Sequence, residues 1–315
     1  MTRWSDREIA RAISRVESEG GSAAPSAPRQ AHVVGFTGPP GAGKSTLVDR
    51  VVTQARADGR TVAVLAVDPS SPLTGGAVLA DRVRMGRHAA DPGVFIRSMG
   101  SRGATNGLAE ASASAVRVLD AAGFDLVVVE TVGVGQVELE VVALADTVLV
   151  LCIPGLGDAY QLNKAGLMEV GDVYVVNQAD RPETPRFVRE LRTSLALGRS
   201  RSQLPAICPT NALTGEGVDE LWRVVDEGFE AASASGELAA RRRSIAELEL
   251  AAAVRGCLRL MGEDLLARSR VAQRLADEIA DGAARADEAA LELLRDAGVD
   301  VATLGRASDV LTSRP

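Results

Sequence analysis

Gly38-Pro39-Pro40-Gly41-Ala42-Gly43-Lys44-Ser45-Thr46 fits the pattern G-x-x-x-x-G-K-[ST] and follows at once on the apolar run His32-Val33-Val34-Gly35-Phe36. That order reads as a strand feeding a helix through a phosphate-cradling loop. Glycines let the backbone curl so that successive N–H groups point at phosphate oxygens, and the helix behind them adds the positive end of its dipole. Pro40, Gly41, Ala42, Gly43, Lys44, Ser45 and Thr46 are therefore candidate nucleotide contacts. Lys44 would reach the β- and γ-phosphates, and the Ser45 hydroxyl would hold Mg²⁺. The chain has two lysines, Lys44 and Lys164, among 35 basic residues. Arginine fills nearly every other basic position, so a lysine kept at 44 suits a compact point charge that a planar guanidinium does not replace.

Beyond this loop, short apolar runs alternate with helical segments, the βα rhythm of a parallel sheet. Strands are expected at 61–67, 94–98, 125–130, 146–153, 172–176 and 204–208, most of them continuous apolar runs as in strands covered on both faces. Ligands of such sheets sit at the carboxyl ends of the strands. There stand Asp68, ahead of Pro69-Ser70-Ser71, and Glu130, ahead of Thr131-Val132-Gly133. Each puts a carboxylate where a triphosphate and Mg²⁺ would lie. Asp68 before a proline also suits a plain turn or helix cap. Glu130 closing a buried strand needs a partner. Gly133 is placed to offer its N–H to a γ-phosphate.

Asn177-Gln178-Ala179-Asp180 follows the strand at 172–176 and matches N-x-x-D. In that pattern the aspartate accepts hydrogen bonds from guanine N1 and N2, which selects GTP over ATP; a simple turn is the other reading. Asn211, Ala212 and Leu213, ahead of Thr214-Gly215-Glu216-Gly217, would add backbone contacts to the base or form a turn only.

The 315 residues suffice for one large α/β domain with helical additions. Composition is that of a globular chain, 46% hydrophobic and 24% charged. A net charge of -7 argues against nucleic acid or an anionic membrane as a bulk partner. No apolar stretch is long enough to span a membrane and the N-terminus has no signal-like apolar core, so a cytoplasmic location is expected. Cys152, Cys208 and Cys257 lack C-x-x-C spacing and read as buried, reduced thiols. His32 and His88 are isolated, which disfavours a histidine-based metal site.

Ser5 to Glu19 places Ile9, Ile13 and Val16 at helical spacing, and the Gly/Ser/Ala/Pro run at 20–28 reads as a linker. The expected organisation is a helix and linker at 1–28, a nucleotide domain at 29–232, and a helical extension at 233–315 with helices over 237–268 and 271–297. This extension is a candidate dimerisation arm. Arg241-Arg242-Arg243 within it reads as a solvated face.

The strings GPPGAGKST (38–46), VDPSSPLTGGAVLADRVRM (67–85), MGSRG (99–103), VVVETVGVGQ (127–136), PGLGDAYQLNKAGLMEV (154–170), VVNQAD (175–180) and TGEG (214–217) resemble the MeaB/ArgK family. These are G-protein chaperones of adenosylcobalamin-dependent acyl-CoA mutases. The resemblance implies a P-loop GTPase fold of the α/β class, a mostly parallel sheet covered by helices on both faces. It implies GTP hydrolysis with Mg²⁺ held by Ser45, Asp68, Asp81 and Glu130, the last two also serving catalysis with Lys44 and Gly133. Guanine would be held by Asn177 and Asp180. It further implies a loop sensing the mutase at 154–164, with Asp158, Gln161 and Lys164, although a surface lysine on a helix also explains Lys164. A homodimer is expected, with no cobalamin held by this chain itself. Gln178 stands where the family usually has a lysine, and Ala104-Thr105-Asn106-Gly107 where it tends to His-Leu-Gly-Gly. Two alternatives are a P-loop ATPase or kinase linked to amino-acid transport and a metallochaperone-type GTPase. The first lacks a membrane segment and the second a Cys/His cluster.

Overall fold

Alternation decides which face of each strand meets which helices. In β1 (His32–Thr37) Val33 joins one apolar cluster while Val34 and Phe36 join another. In β4 (Leu126–Thr131) Val127 and Val129 face the first, and Leu126 and Val128 the second. A strand's side chains point alternately to opposite faces, so strands apolar at every position need a helical layer on each side. The computed structural model describes residues 4–19, 25–68, 86–88, 90–100, 107–131, 144–155, 167–197 and 204–299.

Among the described residues the strands form one seven-stranded sheet in the order β3-β2-β4-β1-β5-β6-β7, and every pairing is parallel. The other strands are β2 (Val62–Asp68), β3 (Val94–Gly100), β5 (Thr147–Cys152), β6 (Val173–Asn177) and β7 (Ala206–Thr210). All six strands read from the downstream sequence are present, with ends shifted by a residue or two. The helix α2 (Lys44–Ala57) follows β1, as the motif predicts. It covers one face through Leu47, Val48, Val51 and Val52, together with Leu221, Trp222 and Val225 of α6 (Val218–Ser235). The other face is covered by α1 (Asp6–Glu19), α3 (Gly107–Ala121) and α5 (Thr184–Leu195), with a single turn, α4 (Leu167–Val170), ahead of β6. Ile9, Ile13 and Val16 of α1 are fully buried there, as their spacing predicts.

The C-terminal region corrects two expectations. The helix read over 271–297 is two helices, α8 (Arg270–Ala280) and α9 (Ala286–Asp296), which close on each other through Ala272, Leu275, Ala289 and Leu293. Ahead of them α7 (Glu237–Arg268) carries the arginine run, and only Arg243 is a solvated charge. Arg241 donates to the Ala145 carbonyl and to Asp172 Oδ1 at 3.0 and 2.8 Å. Arg242 donates to both oxygens of Asp146 and to the carbonyls of Arg29 and Ala31 at 2.6–3.0 Å. Helical geometry puts successive residues about 100° apart, so one residue of the run is bound to face out. Packing divides the chain into Met1–Ala252 and Ala253–Pro315, a division that falls within α7, beyond the compositional change at 233.

Two cysteines behave as expected and one does not. Cys152 and Cys208 are buried in β5 and β7, and burial pushes their thiols up to about 12 and about 11. Cys257 lies exposed on α7.

Candidate nucleotide site

The loop between β1 and α2 takes its shape from glycines that nothing else replaces. Gly38 has φ 143°, and a Cβ there would strike the Leu151 carbonyl of β5. Gly43 has φ 87° as the N-cap of α2, and a Cβ would strike the Asn177 side-chain amide. An L-residue pays for positive φ, and here it would also clash. No side chain caps α2, and its first turn carries no acidic residue. The amides at this helix start are thus left for an anion at the positive end of the dipole.

Lys44, only 6% exposed, donates through Nζ to the carbonyls of Gly38 and Pro39 at 2.6 and 3.0 Å. Its ammonium is held on the loop itself. Ser45 Oγ donates to Glu130 Oε1 at 2.6 Å, joining the helix start to the end of β4. Glu130 is 3% exposed, so the sequence argument that a carboxylate closing a buried strand needs a partner is met by Ser45. A hydroxyl touching a carboxylate is the hard, all-oxygen donor set that Mg²⁺ takes, so these residues fit the expected ion. Among the described residues no group of three or more His, Cys, Asp and Glu side chains could hold a metal. Asp68 closes β2, but its side chain lies outside the described residues, as do Asp81 and Gly133. Asp158, Gln161 and Lys164 of the proposed sensing loop lie outside them too.

The base side is built around Asn177, the buried last residue of β6. Its Nδ2 donates to the Ala42 carbonyl at 2.7 Å, and its Oδ1 accepts from Ala212 N at 3.0 Å and Thr210 Oγ1 at 3.4 Å. One amide thereby ties the phosphate loop to the loop after β7. Gln178, next in the chain, is the one non-glycine with positive φ among the described residues, at 58°. That strained turn swings the chain so that Asp180 is exposed, with Oδ1 accepting from Asn211 Nδ2 at 2.8 Å. Asn211 Oδ1 in turn accepts from the amides of Leu213 and Thr214 at 3.1 and 3.3 Å.

The structure thus gathers Ala42, Gly43, Lys44, Ser45, Glu130, Asn177, Asp180, Asn211, Ala212 and Leu213 along the carboxyl rim of the sheet. It places Pro40, Gly41 and Thr46 on the same loop and first helical turn. Asn177 is in position as a brace between loops. The Ala212 and Leu213 amides, read from sequence as base contacts, donate to side chains of the protein. Two participants escaped the sequence reading. Thr210 carries no motif of its own, and Arg50 of α2 donates to the Ala212 and Leu213 carbonyls across 162 and 163 positions of chain. A polar residue at the end of a predicted strand would have pointed to Thr210. No local signal marks Arg50.

Residues 9–263 match the family described as methylmalonyl-CoA mutase-associated GTPase MeaB. The chain belongs to the MeaB family. A Pyrococcus horikoshii protein named as a GTPase is 50% identical over 230 residues, 72% of this chain and 73% of that one. GTPase ArgK of Escherichia coli is 39% identical over 210 residues, 65% of this chain and 63% of its own. The mouse mitochondrial methylmalonic aciduria type A homolog is 36% identical over 216 residues, 67% of this chain and 52% of its own. A crystal structure titled LAO/AO transport system kinase covers 95% of this chain and all of its own, with a TM-score of 0.61. At 24% identity that likeness is one of fold alone. The MeaB-family chain is therefore a GTPase.

Proposed function

We propose that this GTPase is a chaperone of an adenosylcobalamin-dependent acyl-CoA mutase of the methylmalonyl-CoA type. The observation that carries the reading is the match over residues 9–263 to a family described as mutase-associated. The described rim supports its GTPase half. Lys44 and the 40–46 backbone hold phosphates, and Asp180 accepts from guanine N1 and N2 while Asn177 fixes the loops around the base. Ser45 and Glu130, with Asp68 and Asp81, hold Mg²⁺, which when bound offsets the charge that develops on the transferring phosphoryl group. Glu130 keeps the Ser45 hydroxyl oriented, and Gly133 offers an N–H to the γ-phosphate. The reading includes a cytoplasmic location.

Coupling to the mutase is assigned to Asp158, Gln161 and Lys164. A partner that binds one nucleotide state better than another must, by linkage, shift nucleotide affinity. A homodimer belongs to the same proposal. Val254, Leu258, Met261 and Leu265 recur along α7 at spacings of four, three and four residues, and the first three are at least half exposed. That is the seam a second helix would cover.

The test measures GTP turnover of wild type and Lys164→Ala, with and without each candidate mutase of the source organism. Wild type should turn over slowly alone and faster with one mutase, and Lys164→Ala should lose the acceleration while keeping the slow rate. No acceleration by any mutase would refute the chaperone reading. A Lys164→Ala enzyme inactive by itself would move that lysine out of the sensing role.

A further inference from the structure

Two successive peptide groups of the loop after β7 are held from both sides. The Ala212 carbonyl accepts from Arg50 Nε at 3.0 Å, and the N–H of that same peptide, on Leu213, donates to Asn211 Oδ1 at 3.1 Å. The Leu213 carbonyl accepts from Arg50 Nη2, and the N–H of that peptide, on Thr214, donates to Asn211 Oδ1 at 3.3 Å. In a planar trans peptide the C=O and N–H point in opposite directions, so Arg50 and Asn211 fix the rotation of the same two planes. The guanidinium does this because its donors form a rigid fork; an ammonium has the charge without the geometry.

The consequence reaches Asp180. Both N–H groups converge on the Asn211 oxygen, so the other end of that amide must present its Nδ2, which donates to Asp180 Oδ1 at 2.8 Å. Turning the Asn211 amide over would bring an oxygen against a carboxylate and abandon two N–H bonds. Releasing the two peptides from Arg50 removes what dictates that choice. Asp180 itself is exposed, and a carboxylate on the surface keeps one orientation only while something holds it.

We propose that Arg50 is a positioning residue for base selection, acting through the 212–214 peptides and Asn211 to aim Asp180 at the base edge. The inference rests on the reading of Asp180 as the guanine-selecting carboxylate. It is distinct from the bridge that Asn177 makes between the two loops, which ends on Ala212 N while Arg50 holds the Ala212 and Leu213 carbonyls.

The experiment compares affinities for GDP and IDP, whose base lacks the 2-amino group, in wild type, Arg50→Ala, Arg50→Lys and Asp180→Asn. Thermal melting confirms that each variant is folded, and Arg50→Lys retains the charge should alanine perturb folding. Wild type should favour GDP. Arg50→Ala should narrow the GDP-to-IDP ratio about tenfold, and Arg50→Lys should narrow it as well, since the directed bonds and not the charge hold the loop. An equal loss of GDP and IDP affinity, or none, in both Arg50 variants would overturn the inference. If Asp180→Asn narrows the ratio and the Arg50 variants do not, the guanine reading stands and only the role of Arg50 falls. An unchanged ratio in Asp180→Asn would refute the reading and this inference with it.

Discussion

The two ends of the sheet bury charge in different ways. At the carboxyl rim, Lys44 donates to carbonyls of its own loop, and Glu130 accepts from the Ser45 hydroxyl. Those partners lie on the segment proposed to receive phosphate, so the bonds are of the kind that a ligand and its Mg²⁺ could exchange. At the amino rim, Asp146 accepts from Val33 N and from two nitrogens of Arg242, with Arg29 also near at 3.8 Å. Its side chain is wholly buried, and burial lowers the Arg29 pKa despite the carboxylates beside it. Each of these partners belongs to the protein's own framework: a β1 amide, α7 and the segment ahead of β1. One set of strands thus carries a site at one end and, at the other, the anchor of α7.

That comparison breaks most visibly at Lys44. Lys44→Ala should cut GTP hydrolysis by about a thousandfold, roughly 4 kcal/mol of transition-state stabilisation, since it removes a charge that meets the phosphates. Its melting temperature should stay close to wild type. A variant that hydrolyses GTP normally, or that unfolds, would erase the distinction between the two rims.

At the amino rim the expected loss is in stability. Arg242→Ala leaves Asp146 buried without its main partner, and should cost about 3 kcal/mol in urea unfolding. Arg243→Ala, one position on and exposed, should cost less than about 0.5 kcal/mol. Folded Arg242→Ala should bind GDP as wild type does. Equal stability losses at 242 and 243 would mean that the arginine run is a solvated face after all.

His32 supplies a smaller effect than Arg242, and it depends on pH. Its ring begins β1, stacks on Phe229 at 3.9 Å, and approaches Thr147 Oγ1 at 2.8 Å. Burial lowers its pKa to about 3, outweighing the attraction of Asp146. An unfolded histidine titrates near 6.5, so below that pH the unfolded chain binds a proton that the folded chain refuses. Stability is therefore full above about pH 6.5 and falls as pH drops towards 3. Between pH 7.5 and pH 5 the loss from this residue should be about 2 kcal/mol. His32→Gln should lower stability at pH 7.5 but flatten that slope, as measured by urea unfolding at both values. Parallel pH profiles for the two proteins would remove His32 as the cause.

The sequence by itself determined the phosphate loop, the strands and their parallel order of β and α, and the two-sided burial. These rest on local signals: glycines at fixed spacing, apolar runs of strand length, and three apolar residues at helical spacing in α1. It also marked Glu130, because a carboxylate ending an apolar strand is conspicuous in one dimension. Tertiary structure decided which polar groups meet. Ser45 and Glu130 are 85 positions apart, Asn177 and Ala42 are 135, and Arg242 and Asp146 are 96. An arginine bound for the core reads like one bound for water, since both carry the same charge on the same stem. Only the packing of α7 against the sheet separates Arg242 from Arg243, and only the folded loop after β7 brings Arg50 to the 212–214 peptides that also bond Asn211, the partner of Asp180.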